Sequence, residues 1–186
     1  ERLVLGGVAI SSLFGAIQAS LLLQVEDGRI QAALNWLIGS LNARGWEEIK
    51  FVTLPILISL FIGLFLSRQL NLLGLGDELS VSLGNSLFRS RCLIGAIATL
   101  LTACAVSIGG LIGFIGLIVP HFSRLLIGSD FKYILPFSAL MGALTLSGSD
   151  LISRLGPVEI PVGIVTALIG APIFIFILYQ KTGQKK

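Results

Sequence analysis

The feature that most limits how this chain can fold is a series of long stretches without a charged residue. These stretches cover 3–25, 51–67, 92–123, 133–149 and 160–180. A helix needs about 20 mostly apolar residues to cross a bilayer. The stretch at 92–123 is too long for one crossing, and Gly109-Gly110 offers a turn inside it. We therefore predict six transmembrane helices, near 3–25, 50–67, 91–108, 111–127, 134–152 and 160–180.

Composition agrees with a membrane protein. Hydrophobic residues make up 54% of the 186-residue chain, charged residues make up 12%, and the mean hydropathy is +0.95. A soluble globular domain carries about 25% charged residues, so this chain has about half the usual share. We expect an all-α, polytopic membrane protein that is surrounded by lipid.

One compact polar segment, 68–91, interrupts the apolar stretches with the sequence RQLNLLGLGDELSVSLGNSLFRSR. Its pattern predicts two short helices separated by Gly74 and Gly76. The second helix is expected to open at Asp77-Glu78, where negative charge complements the helix dipole. The leucines of this segment have no bilayer to enter, so a groove on a soluble protein is their expected destination. The alternative is that they fold back on the chain's own helices.

The basic residues are distributed unequally between the two sides of the predicted spans. If the polar segment is cytoplasmic, nine of the 13 basic residues share its side, which is the bias expected of cytoplasmic loops. The nine are Arg2, Arg68, Arg89, Arg91, Arg124, Lys132, Lys181, Lys185 and Lys186, and the other four are Arg29, Arg44, Lys50 and Arg154. Both ends of the chain are then cytoplasmic. The net charge of +3 reflects membrane topology, and nothing favours nucleic-acid binding.

Residues 26–50 form the largest segment predicted on the outer side. Apolar residues recur there at helical spacing and predict a short amphipathic helix. They are Ile30, Leu34, Leu37, Ile38 and Leu41. Trp36 and Trp46 suit the level of the membrane interface, where an indole ring can keep one edge in water. The pattern is equally compatible with a plain interfacial connector and with part of an outer vestibule or docking surface.

The sequence carries no recognisable catalytic or metal-binding arrangement. A Walker A loop, G-x-x-x-x-G-K-[ST], is absent, so ATP hydrolysis would require another chain. His121 has no second His, Cys or carboxylate within helical reach, and a metal site needs several ligands. Cys92 and Cys104 are predicted to be buried thiols. We expect no catalytic residue, no metal and no cofactor bound by this chain.

Four motifs in order resemble one protein family. They are GLIGFIGLIVPHFSRLLIGSDFKYILPFSALMGALTLSGSDLISR at 110–154, VEIPVGIVTALIGAPIF at 158–174, LNLLGLGDELSVSLG at 70–84, and WLIGSL with WEEI between 36 and 49. Together they closely resemble the FecCD-type permease subunits of bacterial ABC importers for ferric siderophores, haem and cobalamin. Permeases of that family have about ten spans and work as homodimers or paired heterodimers.

The resemblance implies the C-terminal half of such a permease, in the cytoplasmic (inner) membrane of a bacterium. The start at Glu1 instead of Met fits this expectation. Residues 1–186 are then a partial permease domain, which includes a cytoplasmic coupling segment at 68–91.

The resemblance also implies roles for individual residues. In similar permeases the short helices at this place dock on the nucleotide-binding subunit and transmit its movement. The corresponding coupling residues are Leu70, Leu72, Leu73, Leu75, Gly76, Asp77, Glu78, Leu79, Leu83 and Gly84. The translocation path of the family follows the dimer axis, and the corresponding path candidates are Ser11, Ser12, Gln18, Ser20, Thr166 and Gly170.

Arg154 has two interpretations. Asp150 lies four residues earlier, which is the spacing of a favourable intrahelical ion pair. In similar permeases, basic residues at the outer rim meet acidic residues of a substrate-binding protein. The resemblance therefore implies that Arg154 contributes to docking, and the intrahelical pair is the alternative.

The expected function is import of a ferric siderophore, or of haem or cobalamin, by alternating access. Cytoplasmic ABC ATPase subunits are expected to bind and hydrolyse ATP, an extracytoplasmic substrate-binding protein to deliver the cargo, and a second permease subunit to complete the dimer. An ion-coupled secondary transporter is a weaker alternative, because ionisable residues are nearly missing from the middle of the predicted spans. A structural or assembly subunit of a membrane complex is a further alternative.

Overall fold

The computed structural model describes residues 2–24, 27–42, 44–156 and 158–183. Within these ranges the chain forms nine α-helices and no strand, which confirms the predicted all-α fold. The helices are α1 (Arg2–Leu22), α2 (Asp27–Ile38), α3 (Trp46–Phe65), α4 (Ser67–Gly74), α5 (Asp77–Ser82), α6 (Leu87–Gly109), α7 (Ile115–Ile127), α8 (Phe131–Arg154) and α9 (Val162–Gly183).

Four of these helices are long and apolar enough to cross a membrane, namely α3, α6, α8 and the Val162–Tyr179 part of α9. Two further apolar helices are shorter: the Ala9–Leu22 part of α1, and α7. Each of the six predicted spans therefore coincides with an apolar helix. Val25, where the first predicted span ends, lies outside the described residues.

The predicted turn between α6 and α7 is present, but the predicted start of α7 is wrong by four residues. Gly110 ends α6 with a φ of 70°, and Phe114 has a φ of 66°. A positive φ is uncommon for a residue with a side chain, because Cβ then crowds the backbone. The chain between these two residues is not helical, so α7 begins only at Ile115.

The start of α8 is also earlier than predicted, at Phe131 instead of near residue 134. The reason is a helix cap. The Asp130 side chain accepts a hydrogen bond of 2.9 Å from the backbone amide of Lys132, and this satisfies a donor that the first turn of a helix leaves unpaired.

The chain divides into two compact units, Glu1–Leu37 and Ile38–Lys186. The first unit contains α1 and α2 up to Leu37. The presence of α2 confirms the predicted helix at 26–50 as far as Ile38, whereas Leu41, predicted on the same helix, lies beyond its end. An apolar pocket of about 580 Å³ lies between the two helices of this unit. Its lining consists of Phe14, Ile17, Gln18, Leu21, Leu22, Ala33, Trp36 and Leu37.

The second unit has two chemically different ends. One end, which we call the coupling end, holds α4, α5 and the starts of α6 and α8. The other, which we call the far end, holds residues 38–42, the ends of α6 and α8, and the start of α9. The coupling end carries Arg68, Arg89, Arg91, Arg124 and Lys132, and the far end carries Arg44, Lys50 and Arg154. This division of the basic residues follows the predicted one.

Backbone groups hold the far end together. The amide of Ser40 donates to the carbonyl of Gly109, and the amide of Gly163 donates to the carbonyl of Gly39, each at 2.9 Å. A Cβ atom at Gly163 would overlap the carbonyl oxygen of Ile38. Glycine at 163 therefore lets the start of α9 touch the backbone of this segment directly.

Large apolar side chains lie mostly on the surface of the second unit, and small polar ones lie inside. Leu144, Leu168, Phe61 and Phe65 are more than 60% exposed, whereas several serines and one threonine are buried. The buried set is Ser59, Ser80, Ser90, Ser123, Ser149, Ser153 and Thr166. Small residues allow transmembrane helices to approach closely, and lipid accepts the large apolar ones. The surface is therefore that of a membrane protein.

The two cysteines differ in their surroundings. Cys104 is buried as predicted, whereas Cys92 is exposed, so the prediction of a buried thiol at 92 is wrong. Cys92 lies in the second turn of α6, beside the exposed residues Arg91 and Leu93.

Candidate functional site

The coupling segment folds into the two short helices that its sequence predicts. α5 begins at Asp77, and both Asp77 and Glu78 lie in its first turn. Gly76 precedes α5 with a φ of 98°, and Gly84 follows it with a φ of 81°. These conformations are natural for glycine and strained for other residues. Gly74, in contrast, is the last helical residue of α4, so the turn itself falls at Gly76.

The leucines of the coupling segment separate into two groups. Leu70, Leu72 and Leu73 are partly buried on α4. Leu75, Leu79 and Leu83 are between 56% and 58% exposed. The first group therefore behaves partly as the alternative predicts, because these leucines pack on the chain's own helices. The second group is not covered by other described residues of this chain.

Two further apolar residues, not predicted from the sequence, join the exposed leucines. Val81 is 54% exposed and Phe88 is 79% exposed. Together with the three leucines they make a set of five exposed apolar residues at the coupling end, which we call the coupling ridge: Leu75, Leu79, Val81, Leu83 and Phe88. The sequence offered a signal for Phe88, because it is a large apolar residue directly before Arg89 in the polar segment 68–91, outside the predicted spans.

α5 is fastened to the start of α6 by polar contacts. Arg91 donates a hydrogen bond of 2.6 Å to the Asp77 carboxylate, and both side chains are exposed. Beneath this ion pair, the Asn85 amide donates to the Ser80 hydroxyl at 2.9 Å, and the Ser90 hydroxyl donates to Asn85 Oδ1 at 2.6 Å. Ser80 is fully buried. The buried network therefore sets the position of α5 on α6, and the exposed ion pair adds little to it.

α4 is fastened to the start of α8 by one asparagine. Asn71 Nδ2 donates to Asp130 Oδ1 at 2.7 Å, and Asn71 Oδ1 accepts from the backbone amide of Phe131 at 3.0 Å. The hydrogen bond from the Asn71 side chain, followed by that from the Lys132 amide, lowers the pKa of Asp130 below its ordinary value. Asp130 is therefore a carboxylate at neutral pH, which makes its hydrogen bond with Asn71 charge-assisted.

Arg154 forms the intrahelical ion pair that its spacing predicts. Its Nε donates to Asp150 Oδ2 at 2.9 Å, and its Nη2 donates to Asp150 Oδ1 at 3.2 Å. The Arg154 side chain is still 45% exposed. The pair orients the guanidinium at the far end and leaves part of it open to a partner, so docking through Arg154 stays a prediction.

The six path candidates divide between the two units. Ser11, Ser12, Gln18 and Ser20 lie on α1 and are exposed, and Gln18 also lines the pocket between α1 and α2. Thr166 and Gly170 lie on α9 and are buried. They line a cavity of about 60 Å³ together with residues of α7 and α8.

Gly170 has a packing role that its sequence position did not reveal. A Cβ atom there would overlap the side chain of Phe114, which also makes an edge-to-face contact with Phe174 at a ring distance of 6.5 Å. Phe114 is thus held against α9 from the non-helical turn before α7. A path role for Gly170 remains a prediction, but any substitution there first disturbs this contact.

His121 lies beside Phe122 in α7, with an edge-to-face ring contact at 6.5 Å. Over the part of the chain that the structure describes, no three His, Cys, Asp or Glu residues come together as a metal site would require.

Comparison with known proteins matches these features to one family. A model of the FecCD transport family matches residues 1–180. The Fe(3+)-citrate import system permease protein YfmE of Bacillus subtilis is 43% identical over 180 residues, which are 96% of this chain and 54% of that protein. The cobalamin import system permease protein BtuC of Halobacterium salinarum is 41% identical over 180 residues, 96% of this chain and 48% of that protein.

A third relative, the hemin transport system permease protein HmuU of Yersinia pestis, is 37% identical over 186 residues, 99% of this chain and 56% of that protein. Among solved structures, an ABC transporter assigned to the metal-chelate type, in an inward-facing conformation, has a TM-score of 0.85 and 38% identity. The match covers 94% of this chain and 57% of the other. The chain spans about half the length of the curated relatives it matches. With its membrane-length helices and a family match over nearly its full length, the chain is that of an integral membrane protein and belongs to the FecCD transport family.

Proposed function

We propose that this chain is the C-terminal half of the transmembrane permease subunit of a binding-protein-dependent ABC importer. The observation that supports this most is the coupling ridge. It consists of five exposed apolar residues at the coupling end, four of them outside the spans and Phe88 in the first turn of α6, near several basic residues. Apolar patches in such a place mark protein interaction sites. A cytoplasmic ABC ATPase subunit is the partner that we propose for it.

The mounting of the coupling segment supports a mechanical role. α5 is held on α6 through Ser80, Asn85 and Ser90, and α4 is held on α8 through Asn71. A displacement of the segment by the ATPase therefore reaches two long helices at once. The mechanism that we propose is alternating access, in which ATP binding and hydrolysis on the partner rock the spans and open the path to each side in turn.

Two other partners are proposed, one on the opposite side of the membrane and one across the dimer axis. We propose that an extracytoplasmic substrate-binding protein docks at the far end, where Arg154 keeps part of its guanidinium exposed. A second permease subunit, identical or related, completes the path. The location that fits these partners is the cytoplasmic membrane of a bacterium, with both ends of the chain in the cytoplasm.

For the cargo we propose a ferric siderophore. The named relatives are permeases for Fe(3+)-citrate, cobalamin and hemin, so the class they share is a bulky metal chelate. The path candidates Ser11, Ser12 and Ser20 on α1 are small, uncharged and exposed. A lining of this kind suits a cargo that must pass without being held tightly.

Uptake by the reconstituted full-length permease tests this proposal. Proteoliposomes containing the permease and its cognate ATPase would receive labelled ferric siderophore, haem or cobalamin with the substrate-binding protein outside. We expect uptake of the siderophore that requires ATP and the binding protein. Uptake driven by an ion gradient without ATP would instead establish a secondary transporter, and a correctly assembled complex without uptake of any cargo would favour an assembly subunit.

A further inference from the structure

One side chain on α4 hydrogen-bonds to two consecutive residues at the start of α8. Asn71 lies in the middle of α4, donates to the Asp130 carboxylate and accepts from the Phe131 amide. The same carboxylate accepts from the Lys132 amide and caps α8. Asn71 is therefore bonded both to the cap of α8 and to the first residue of that helix.

This geometry restrains α4 more firmly than a single hydrogen bond would. Two bonds from one planar amide fix its orientation as well as its distance, and the helices also pack on each other. The Asp130 carboxylate already accepts hydrogen bonds from Asn71 and from the Lys132 amide. Both bonds therefore exist before the segment moves. A displacement of α4 along the membrane normal thus acts directly on the end of α8.

α8 is well suited to carry such a displacement to the far end. It runs without interruption from Phe131 to Arg154, and its 24 residues correspond to a length of about 36 Å. It packs against α3, α7 and α9 along its course. Its last turn carries Arg154, the residue expected to meet the binding protein.

We propose that Asn71 and Asp130 form the joint through which movement of the coupling segment is passed to α8, and that transport per ATP hydrolysed depends on this joint. This inference rests on the proposed importer function. Asn71 and Asp130 are positioning residues, since neither needs to touch the ATPase or the cargo. The coupling ridge is separate from them, so binding of the ATPase and transmission of its movement are separable.

A charge swap tests the joint. Asn71→Asp sets two carboxylates against each other and breaks the bond, whereas Asp130→Asn keeps an acceptor for Asn71 and for the Lys132 amide. In the double variant, the new amide at position 130 would donate to the new carboxylate at position 71, and that carboxylate would accept from the Phe131 amide. In the wild type the Asn71 side chain and the Lys132 amide both donate to Asp130 Oδ1, so an amide nitrogen in that place gives up the cap bond from Lys132. The two hydrogen bonds between α4 and α8 are restored, with the carboxylate on the other helix.

The measurement is uptake per ATP hydrolysed by the full-length permease with its ATPase and binding protein in proteoliposomes. For Asn71→Asp we expect this ratio to fall about fivefold, less than the full effect of losing a charge-assisted hydrogen bond, because water reaches the pair. ATPase binding stays as in the wild type. Asp130→Asn alone stays close to the wild type, and the double variant recovers most of the ratio.

Arg91→Gln is the matched control. It removes another exposed hydrogen-bonded charge pair of the same segment, but the buried network of Ser80, Asn85 and Ser90 continues to hold α5. We expect its uptake per ATP to match the wild type.

If the wild type transports its cargo, either of two results would contradict the proposed joint. One is an unchanged ratio in Asn71→Asp. The other is loss of ATPase binding in that variant, because Asn71 would then shape the docking surface instead of transmitting movement. Absence of ATP-dependent uptake in the wild type would be a different failure, that of the proposed importer function.

Discussion

At the scale of single residues, Gly163 shows how closely this fold depends on the absence of one methyl group. Its amide bonds to the Gly39 carbonyl, and the space for its Cβ is already occupied by the backbone of Ile38. Backbone atoms cannot move aside as the tip of a long side chain can. The start of α9 is therefore fixed by this contact.

Gly163→Ala should destabilise the full-length permease by about 1–3 kcal/mol, the usual cost of overpacking a tight site. Gly148→Ala on α8 is the matched control, because the added Cβ would meet no described atom within 4 Å apart from its chain neighbours and the backbone of its own helix. Alanine favours a helix over glycine by about 1 kcal/mol, so the control should be neutral or slightly stabilising. Thermal unfolding in detergent compares the two. Equal unfolding temperatures would contradict the close contact at Gly163.

The two interpretations of Arg154 predict different pairs of mutant phenotypes. If Arg154 serves only the intrahelical pair, Arg154→Ala and Asp150→Ala each remove the same few tenths of a kcal/mol and leave docking alone. If Arg154 docks the binding protein, Arg154→Ala should weaken binding of that protein by about tenfold, the effect of losing one well-placed charge contact. Asp150→Ala should weaken it far less. Binding of the substrate-binding protein to permease in nanodiscs measures both.

At the scale of helices, the sequence predicts that a helix is present better than it predicts where the helix begins and ends. The polar stretch at 68–91 predicts α4 and α5 because it breaks an apolar pattern and contains two acidic residues at the start of a turn. The start of α7 was not predictable in the same way. It depends on the positive φ of Phe114, which is held by a tertiary contact with Gly170 on α9. A contact between residues so far apart in the chain leaves no local pattern.

The path candidates illustrate the same limit. Ser12 and Gly170 were predicted to line the path because they lie on helices that correspond to the path-lining helices of the family. In the structure Ser12 is exposed on α1, while Gly170 is buried against Phe114. Small size on a transmembrane helix thus serves both an open surface and a close contact, and sequence alone does not separate the two.

Bulky substitutions should therefore act differently on α1 and α9. Ser12→Phe is expected to lower uptake while leaving the unfolding temperature unchanged, because its side chain has open space in this unit. Gly170→Phe is expected to lower the unfolding temperature or prevent expression, because it displaces Phe114. Thermal unfolding and uptake on the same preparations separate the effects. Normal uptake by Ser12→Phe would remove Ser12 from the path.

At the scale of the whole molecule, the chain has the surface of a membrane protein and one apolar region that lipid does not explain. The exposed leucines and phenylalanines of the long helices have lipid as their natural environment. Four residues of the coupling ridge lie instead outside the spans, and Phe88 lies in the first turn of α6, close in sequence to Arg89 and Arg91. The sequence predicted three of its five residues. Val81 became recognisable only from its exposure, whereas the sequence offered a signal for Phe88.

Affinity of the isolated ABC ATPase for the full-length permease in nanodiscs tests the central claim most directly. Leu79→Asp should weaken binding at least about tenfold, since an interface buries an unpaired carboxylate only at a high cost. Leu79→Met, the control at the same position, should bind within about threefold of the wild type, because its volume and apolar character are retained. Because Leu79 is 57% exposed, neither change should alter the unfolding temperature. Equal affinity of wild type and Leu79→Asp for the ATPase would contradict the proposal that the ABC ATPase binds the coupling ridge and moves it.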